Sequence, residues 1–208
     1  MKRSEINKTI KEAIFFFKKM NFPLPPYAFF TPSEWVEKSK LYPEVIDCRL
    51  GWDVTDVGLG NFEKFGRTIF TLRNGNINNK NYPKNYAQKI MFLLEEQVMP
   101  VHYHKKKMED IINQGGGVLQ VKLWNKNNTS EVIDLAPGQS VCVTPGTHHQ
   151  FWAKKGFGRV LSMEISSTND DLTDNIWLDK SINRFPEIIE DVKREFILCS
   201  EYDIFLHD

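Results

Sequence analysis

The sequence predicts a mainly β protein, an antiparallel sandwich or barrel preceded by helices, and three observations carry that expectation. From about residue 45 onward the chain breaks into short β-type runs punctuated by Gly, Pro and Asn, the pattern of closed or two-layered antiparallel sheets. Before that point, apolar residues recur at helical spacing instead. Finally, 208 residues with 41% hydrophobic content, including 15 Phe and 5 Trp, suffice for one full core and need no second independent domain. The expected organisation is a helical extension, residues 1–44, packed on a barrel that occupies residues 45–208 together with a C-terminal segment.

The first element is a helix over residues 4–20. Ile6, Ile10, Ala13, Ile14 and Phe17 lie along one stripe, with Lys8, Lys11, Lys18 and Lys19 toward water. Ser4 is the expected cap, and the proline-rich stretch from Pro23 to Pro26 stops the helix. Thr31 followed by Pro32 marks a second helix start, with an end near Lys40. Strand-like runs follow at residues 68–72, 89–96, 118–124, 131–135, 141–144, 149–153 and 159–166. The turns between them include Arg73-Asn74-Gly75, the polar stretch 125–130, Pro137-Gly138 and Pro145-Gly146. Residues 74–85, rich in Asn and Lys, read as an exposed loop, Gly115 to Gly117 as a turn, and residues 186–193 as a last short helix.

Composition removes several function classes. Lys plus Arg and Asp plus Glu number 27 each, so no basic excess is available for a nucleic-acid polyanion. No apolar run approaches the length of a membrane span, and the N-terminus lacks the pattern of a signal peptide, so a cytoplasmic protein is expected. Cys48, Cys142 and Cys199 are far apart and odd in number, which fits buried free thiols in a reducing compartment.

Chemistry concentrates in His102-Tyr103-His104, followed after four residues by Glu109. On a strand, residues i and i+2 face the same side, so the two imidazoles can converge. Glu109 beyond a short turn and His149 from a distant strand would complete a site of three nitrogens and one oxygen with coordination positions left open. His148 competes with His149 for the last place. Alternation favours His149, which shares a face with Phe151 and Ala153, whereas His148 pairs with Gln150 and Trp152. With no thiolate in the set, a harder divalent ion such as Mn2+, Fe2+, Co2+, Ni2+ or Zn2+ is expected.

The stretch Pro100-Val101-His102-Tyr103-His104 through Glu109 to Gly115 and Gly116 resembles the first cupin signature. Gly138, Pro145, Gly146 and His149 resemble the second, with Pro145 one place closer to Gly146 than usual. The resemblance implies a cupin fold, the double-stranded β-helix or jelly-roll barrel. Further segments narrow it: Phe70 to Gly75, Lys89-Ile90-Met91, Glu109 to Gly117, Pro145 to Trp152, and Glu164 to Asp171 with Asp174-Asn175 and Arg184-Phe185-Pro186. Across nearly the whole chain these resemble the bacterial D-lyxose isomerase family. That likeness implies a manganese-dependent, homodimeric aldose–ketose isomerase interconverting D-lyxose and D-xylulose through a cis-enediol, with D-mannose and D-fructose as further substrates.

Such a reaction needs a metal, a base near C1 and C2, and polar groups for the other hydroxyls. Glu164, on a strand whose alternation places it on a barrel face, is the expected base. Asp174 is the expected partner to Glu164 or a hydroxyl binder. Lys107 is the member of the Lys105–Lys107 turn expected to fold inward and stabilise enediolate charge. Arg184 is either a substrate contact from the C-terminal segment or an ion-pair anchor. No phosphate cradle is present, so a free sugar is favoured. Two alternatives share the ligand set: an iron-dependent cupin dioxygenase, and a cupin that binds metal and sugar without turnover.

Overall fold

The computed structural model describes residues 1–125 and 127–205. Lys126, in the expected polar turn, and residues 206–208 of the expected C-terminal segment lie outside the described residues. Five α-helices are present: α1 (Arg3–Lys19), α2 (Pro32–Lys38), α3 (Pro43–Asp47), α4 (Phe62–Phe65) and α5 (Tyr202–Phe205). The strands are β1 (Gly51–Thr55), β2 (Arg67–Arg73), β3 (Tyr86–Leu93), β4 (His102–His104), β5 (Glu109–Gly116), β6 (Leu119–Trp124), β7 (Ser130–Leu135), β8 (Ser140–Val143), β9 (His148–Ala153), β10 (Val160–Ser167) and β11 (Asn175–Trp177). They form a six-stranded sheet, β1-β2-β3-β10-β5-β8, and a five-stranded sheet, β11-β4-β9-β6-β7. From β3 to β6, and again from β7 to β11, the chain switches sheets at every step. That is the jelly-roll winding of a cupin barrel.

Alternation sorts side chains between two apolar layers. Ile69, Met91, Leu93, Phe151, Ala153 and Val160 fill the barrel between the sheets. Their strand neighbours Phe70, Ile90, Phe92 and Leu161 point out of the six-stranded sheet onto Ile6, Ile10, Ala13 and Phe17 of α1. A sheet buried on both faces has nearly continuous apolar strands, hence the unbroken run Ile90-Met91-Phe92-Leu93. Each fully buried apolar side chain of α1 contributes about 1.5–3 kcal/mol. The strand β5 carries a bulge, because Leu161 pairs with Gly115 but Ser162 with Asn113. Gly116 follows at φ 92°, and a Cβ there would lie 2.3 Å from the Arg159 carbonyl oxygen. Gly115 and Gly116 are therefore the end of a strand, and only Gly117 belongs to the turn.

Four details differ from the sequence expectation. Helix α1 begins one residue before Ser4, and its first turn is satisfied by the Glu5 carboxylate, which accepts from the Lys2 N–H at 2.9 Å. Ser4 instead donates to Asp191 through both its N–H and its hydroxyl. Residues 186–193 form no helix. They run as an extended belt along α1, with Arg3 N–H donating to the Ile189 carbonyl at 2.9 Å and the Asn7 amide to that of Lys193; these contacts outbid local helix propensity. The strands β1 and β11, too short and irregular in pattern to be read from sequence, pair through Trp52↔Phe70 and Trp177↔His102. Of the thiols, Cys48 and Cys199 are buried and Cys142 is exposed.

The belt is anchored by Arg3, whose side chain is fully buried between Glu190, at 2.7 Å, and Glu201. Replacing Arg3 by Met leaves Glu201 buried with only Arg194 nearby at 3.2 Å. Loss of one partner of such a pair costs about 3 kcal/mol, a fall in Tm of roughly 6–12 °C for a domain of this size. The hydrogen bond from Arg3 holds the Glu190 carboxyl down to about 2. A depressed carboxylate stabilises above its unfolded value of about 4.3 and loses that contribution as pH falls through the folded value. The gap in Tm between wild type and Arg3→Met should therefore narrow between about pH 5 and pH 2, as calorimetry at each pH would register.

Candidate active site

His102 and His104 project from β4 into the barrel, and His149 meets them from β9, where it is the register partner of His102. All three are buried, and one ring nitrogen of each lies within 4.8 Å of the others. The local chain fixes which nitrogen faces the centre. His102 Nδ1 lies 3.1 Å from the Pro100 carbonyl oxygen, and His149 Nδ1 lies 3.0 Å from that of Thr147. A carbonyl only accepts, so each Nδ1 carries the proton and each Nε2 presents a lone pair. His149 Nε2 is fully buried with no hydrogen-bond partner, although Glu109 Oε1 stands 2.8 Å away. Two facing acceptors at that distance need a cation between them. The three imidazoles converge as a set able to hold a divalent metal, with Glu109 beside His149 and, at 3.5 Å, beside His104. His148 lies on the other face, half-buried, its ring 5.0 Å from that of Tyr103.

Beside the histidines, buried charges alternate in sign. Lys107 Nζ lies 2.7 Å from Glu109 Oε2 and 2.9 Å from Glu164 Oε1. Lys89, the cross-strand partner of Glu164 on β3, approaches the same oxygen at 3.5 Å, and the Ser166 hydroxyl donates to it at 2.9 Å. Burial opposes charge on Glu109, yet the adjacent Lys107 ammonium holds its carboxyl well below the usual range. Burial likewise opposes charge on Glu164, and Lys107 and Lys89 override it, so its carboxyl too is held low. Burial disfavours the Lys107 ammonium, but Glu164 and Glu109 raise its pKa. Glu164 Oε2 accepts no hydrogen bond among the described residues.

The other expected residues occupy different places. Asp174 does not line the cavity. Its two oxygens accept from the backbone N–H groups of Lys106 and Lys107 at 2.8 and 2.9 Å, so it orders the lysine turn and aims Lys107. The expectation of a partner for Glu164 is corrected to that extent, because both Asp174 oxygens are occupied by the turn. Arg184 lines the cavity but is held by Asp53 and, at 3.3 Å, by Asp171. Lys107 is buried as expected, with its charge matched by two carboxylates. A cleft of about 480 Å³ lies beside this cluster and shares Asp171 with the cavity.

Arg67, Lys89, Asp171 and Trp177 also line the cavity and were not singled out from the sequence. A signal existed for two of them. Lys89 alternates with Ala87 and Met91, and Arg67 with Ile69, so each is a cation on an apolar, inward face. Trp177 stands 4.7 Å from the His102 ring, but on a strand of three residues that no pattern could reveal.

The fold and this cavity define the class: a cupin whose interior carries a site able to hold a metal beside buried, ionised carboxylates. A family model described as D-lyxose isomerase matches residues 1–132 and 127–202. The chain belongs to that family. It is 42% identical over 227 residues to the D-lyxose/D-mannose isomerase of Escherichia coli O157:H7, covering 99% of this chain and all of the relative. It is 41% identical over 228 residues to the enzyme of the same name from Serratia proteamaculans, with the same coverage. Among solved structures, the L-ribose isomerases of Cellulomonas parahominis and Acinetobacter sp. DL28 each align with TM-score 0.64 and 13% identity, over 91% of this chain and 98% of theirs. At that identity the likeness concerns the fold. No helix among the described residues is long and apolar enough to cross a membrane.

Asp174→Ala should release the lysine turn without touching the histidines. Two lost hydrogen bonds to a charged acceptor, with the turn amides left to water, cost about 1.5–3 kcal/mol. The expected outcome is full metal content with turnover reduced roughly tenfold, about 1.4 kcal/mol of lost positioning. Parallel metal analysis and steady-state kinetics would measure both.

Proposed function

We propose that this aldose–ketose isomerase interconverts D-lyxose with D-xylulose and D-mannose with D-fructose, using a divalent ion held by His102, His104, Glu109 and His149. One observation carries the reading: a buried glutamate, Glu164, held ionised by Lys107 and Lys89 and with one oxygen free, beside three buried imidazoles that converge. The names of the relatives supply the sugars, and family membership weighs against an oxygenase or a silent binder on the same ligand set. Nitrogen and carboxylate donors without a thiolate favour a harder divalent ion, and the family resemblance implies Mn2+. A homodimer in the cytoplasm is the assembly and compartment that the family resemblance implies.

When bound, the metal would act as a Lewis acid on the C1 and C2 oxygens of the open-chain sugar and acidify the C2 hydrogen. Glu164 then removes that proton through Oε2. The C–H electron pair becomes the C1–C2 double bond, and the carbonyl pair moves to the C1 oxygen, giving a cis-enediol system. The C2 hydroxyl proton passes to the C1 oxygen, and Glu164 returns its proton to C1 as the C1–C2 double-bond pair forms the new C–H bond and an oxygen pair closes the carbonyl at C2. Lys107, Lys89 and Ser166 occupy Oε1 and keep the base ionised and aimed. Arg184, fixed by Asp53 and Asp171, lies on the wall where distal hydroxyls would bind.

Two sets of variants test these roles. His102, His104, Glu109 and His149 replaced singly by Ala should each empty the site and abolish activity, because an open site with a missing ligand cannot compensate. His148→Ala should keep its metal. The reverse pattern for the two adjacent histidines would move the ligand by one residue. Glu164→Gln should retain metal and sugar binding while kcat falls by roughly two to four orders of magnitude. Incubation of manganese-loaded protein with pentoses and hexoses under nitrogen, assayed for ketose, tests the activity itself, and an absence of ketose from both D-lyxose and D-mannose would overturn it.

A further inference from the structure

One buried charge remains without an assignment. Arg67, on β2, is 7% exposed, and its Nε and Nη2 are fully buried with no hydrogen-bond partner. No carboxylate lies within ion-pair distance of it among the described residues. Its guanidinium carbon lies over the Phe151 ring, 4.6 Å from the centroid. It lines the same cavity as His102, His104 and Glu164. It enters from the opposite end of β2 to Thr71, the residue level with Lys89.

The other cations of the cavity are engaged. Lys107 is shared by Glu109 and Glu164, Lys89 faces Glu164 and Asn169, and Arg184 is held by Asp53 and Asp171. A buried guanidinium with unused donors is unfavourable unless something fills them. Arginine cannot escape by losing its proton at neutral pH: burial lowers its pKa only to about 10.

We propose that Arg67 binds the reacting end of the open-chain sugar and stabilises the negative charge of the cis-enediolate. The inference rests on the isomerase reading and deepens it. The substrate and product sugars are neutral, and the enediolate is the anion formed between them. A charge that finds its partner only in that species lowers the barrier without tightening the ground state. The planar fork, packed against Phe151, can meet two adjacent oxygens in one plane. Lys107, the residue first expected in this role, already has both its carboxylates.

The test compares two ligands on the metal-loaded protein by calorimetry. One is a neutral pentitol and the other a four-carbon aldonohydroxamate, a planar anion that mimics the enediolate. In Arg67→Met, hydroxamate affinity should fall roughly 30- to 100-fold and pentitol affinity less than threefold, with metal content unchanged. Turnover should fall about 100- to 1000-fold in kcat with KM within threefold. Equal losses for the two ligands, or an unchanged hydroxamate affinity at full metal content, would overturn the assignment and leave Arg67 as a packing residue on Phe151. If Arg67→Met does not fold, the same ratio is read on Arg67→Lys, which keeps charge but not the fork. A selective loss of about tenfold supports the role, and an unchanged ratio refutes it. Wild-type protein inactive on both aldoses would sink the isomerase reading alone, since the affinity ratio is measured without turnover.

Discussion

Lys107 sits between Glu109 and Glu164, 2.7 and 2.9 Å from their oxygens, and the interior of the barrel depends on that bridge. Two carboxylates buried side by side would otherwise repel, and one would take up a proton. The lysine favours the ionised form of both, Glu109 facing the histidines and Glu164 with its second oxygen unengaged. Its own placement is relayed from farther away. Strand β11 pairs with β4, setting Asn175 opposite His104. Asp174, one residue earlier, then closes on the backbone of Lys106 and Lys107. A three-residue strand at the sheet edge thus helps to place the lysine turn beside two buried glutamates.

The site is rigid because each of its residues continues into packed core. His149 is followed on the same face by Phe151 and Ala153, Lys89 by Met91 and Leu93, and Glu109 by Ile111. The polar groups therefore stand on strands whose next inward residues have no freedom to move. The outer face of the six-stranded sheet is covered by α1, which the C-terminal belt clamps through Arg3 and Asn7. Ends of the chain 187 residues apart meet on the back of the sheet that carries Lys89 and Glu164.

Cation number inside the cavity has a functional reading. Arg67, Lys89, Lys107 and Arg184 face Asp53, Glu109, Glu164 and Asp171. The charges cancel in sum but not in place, because Arg67 stands apart from every carboxylate. The chain thus keeps one buried positive group without a carboxylate partner in the cavity that the imidazoles line.

Much of this protein was legible in its sequence. Ile6, Ile10, Ala13 and Phe17 marked α1, and period-two alternation marked seven of the strands and put His149 rather than His148 on the inward face. The spacing of His102, His104 and Glu109 brought those three to one point, since a strand repeat of two residues leaves little choice of side. These features are local: they follow from backbone periodicity and the need to bury apolar surface. Residues 186–193, β1 and β11 were not legible, because their conformation comes from partners far along the chain. The roles of Asp174, Lys107, Arg184 and Arg67 were decided the same way. Each is a charged residue whose meaning depends on which opposite charge lies within about 3 Å, and no sequence pattern encodes that distance. Only the closed barrel, which gathers these charges at its interior, determines which of them meet an opposite charge and which do not.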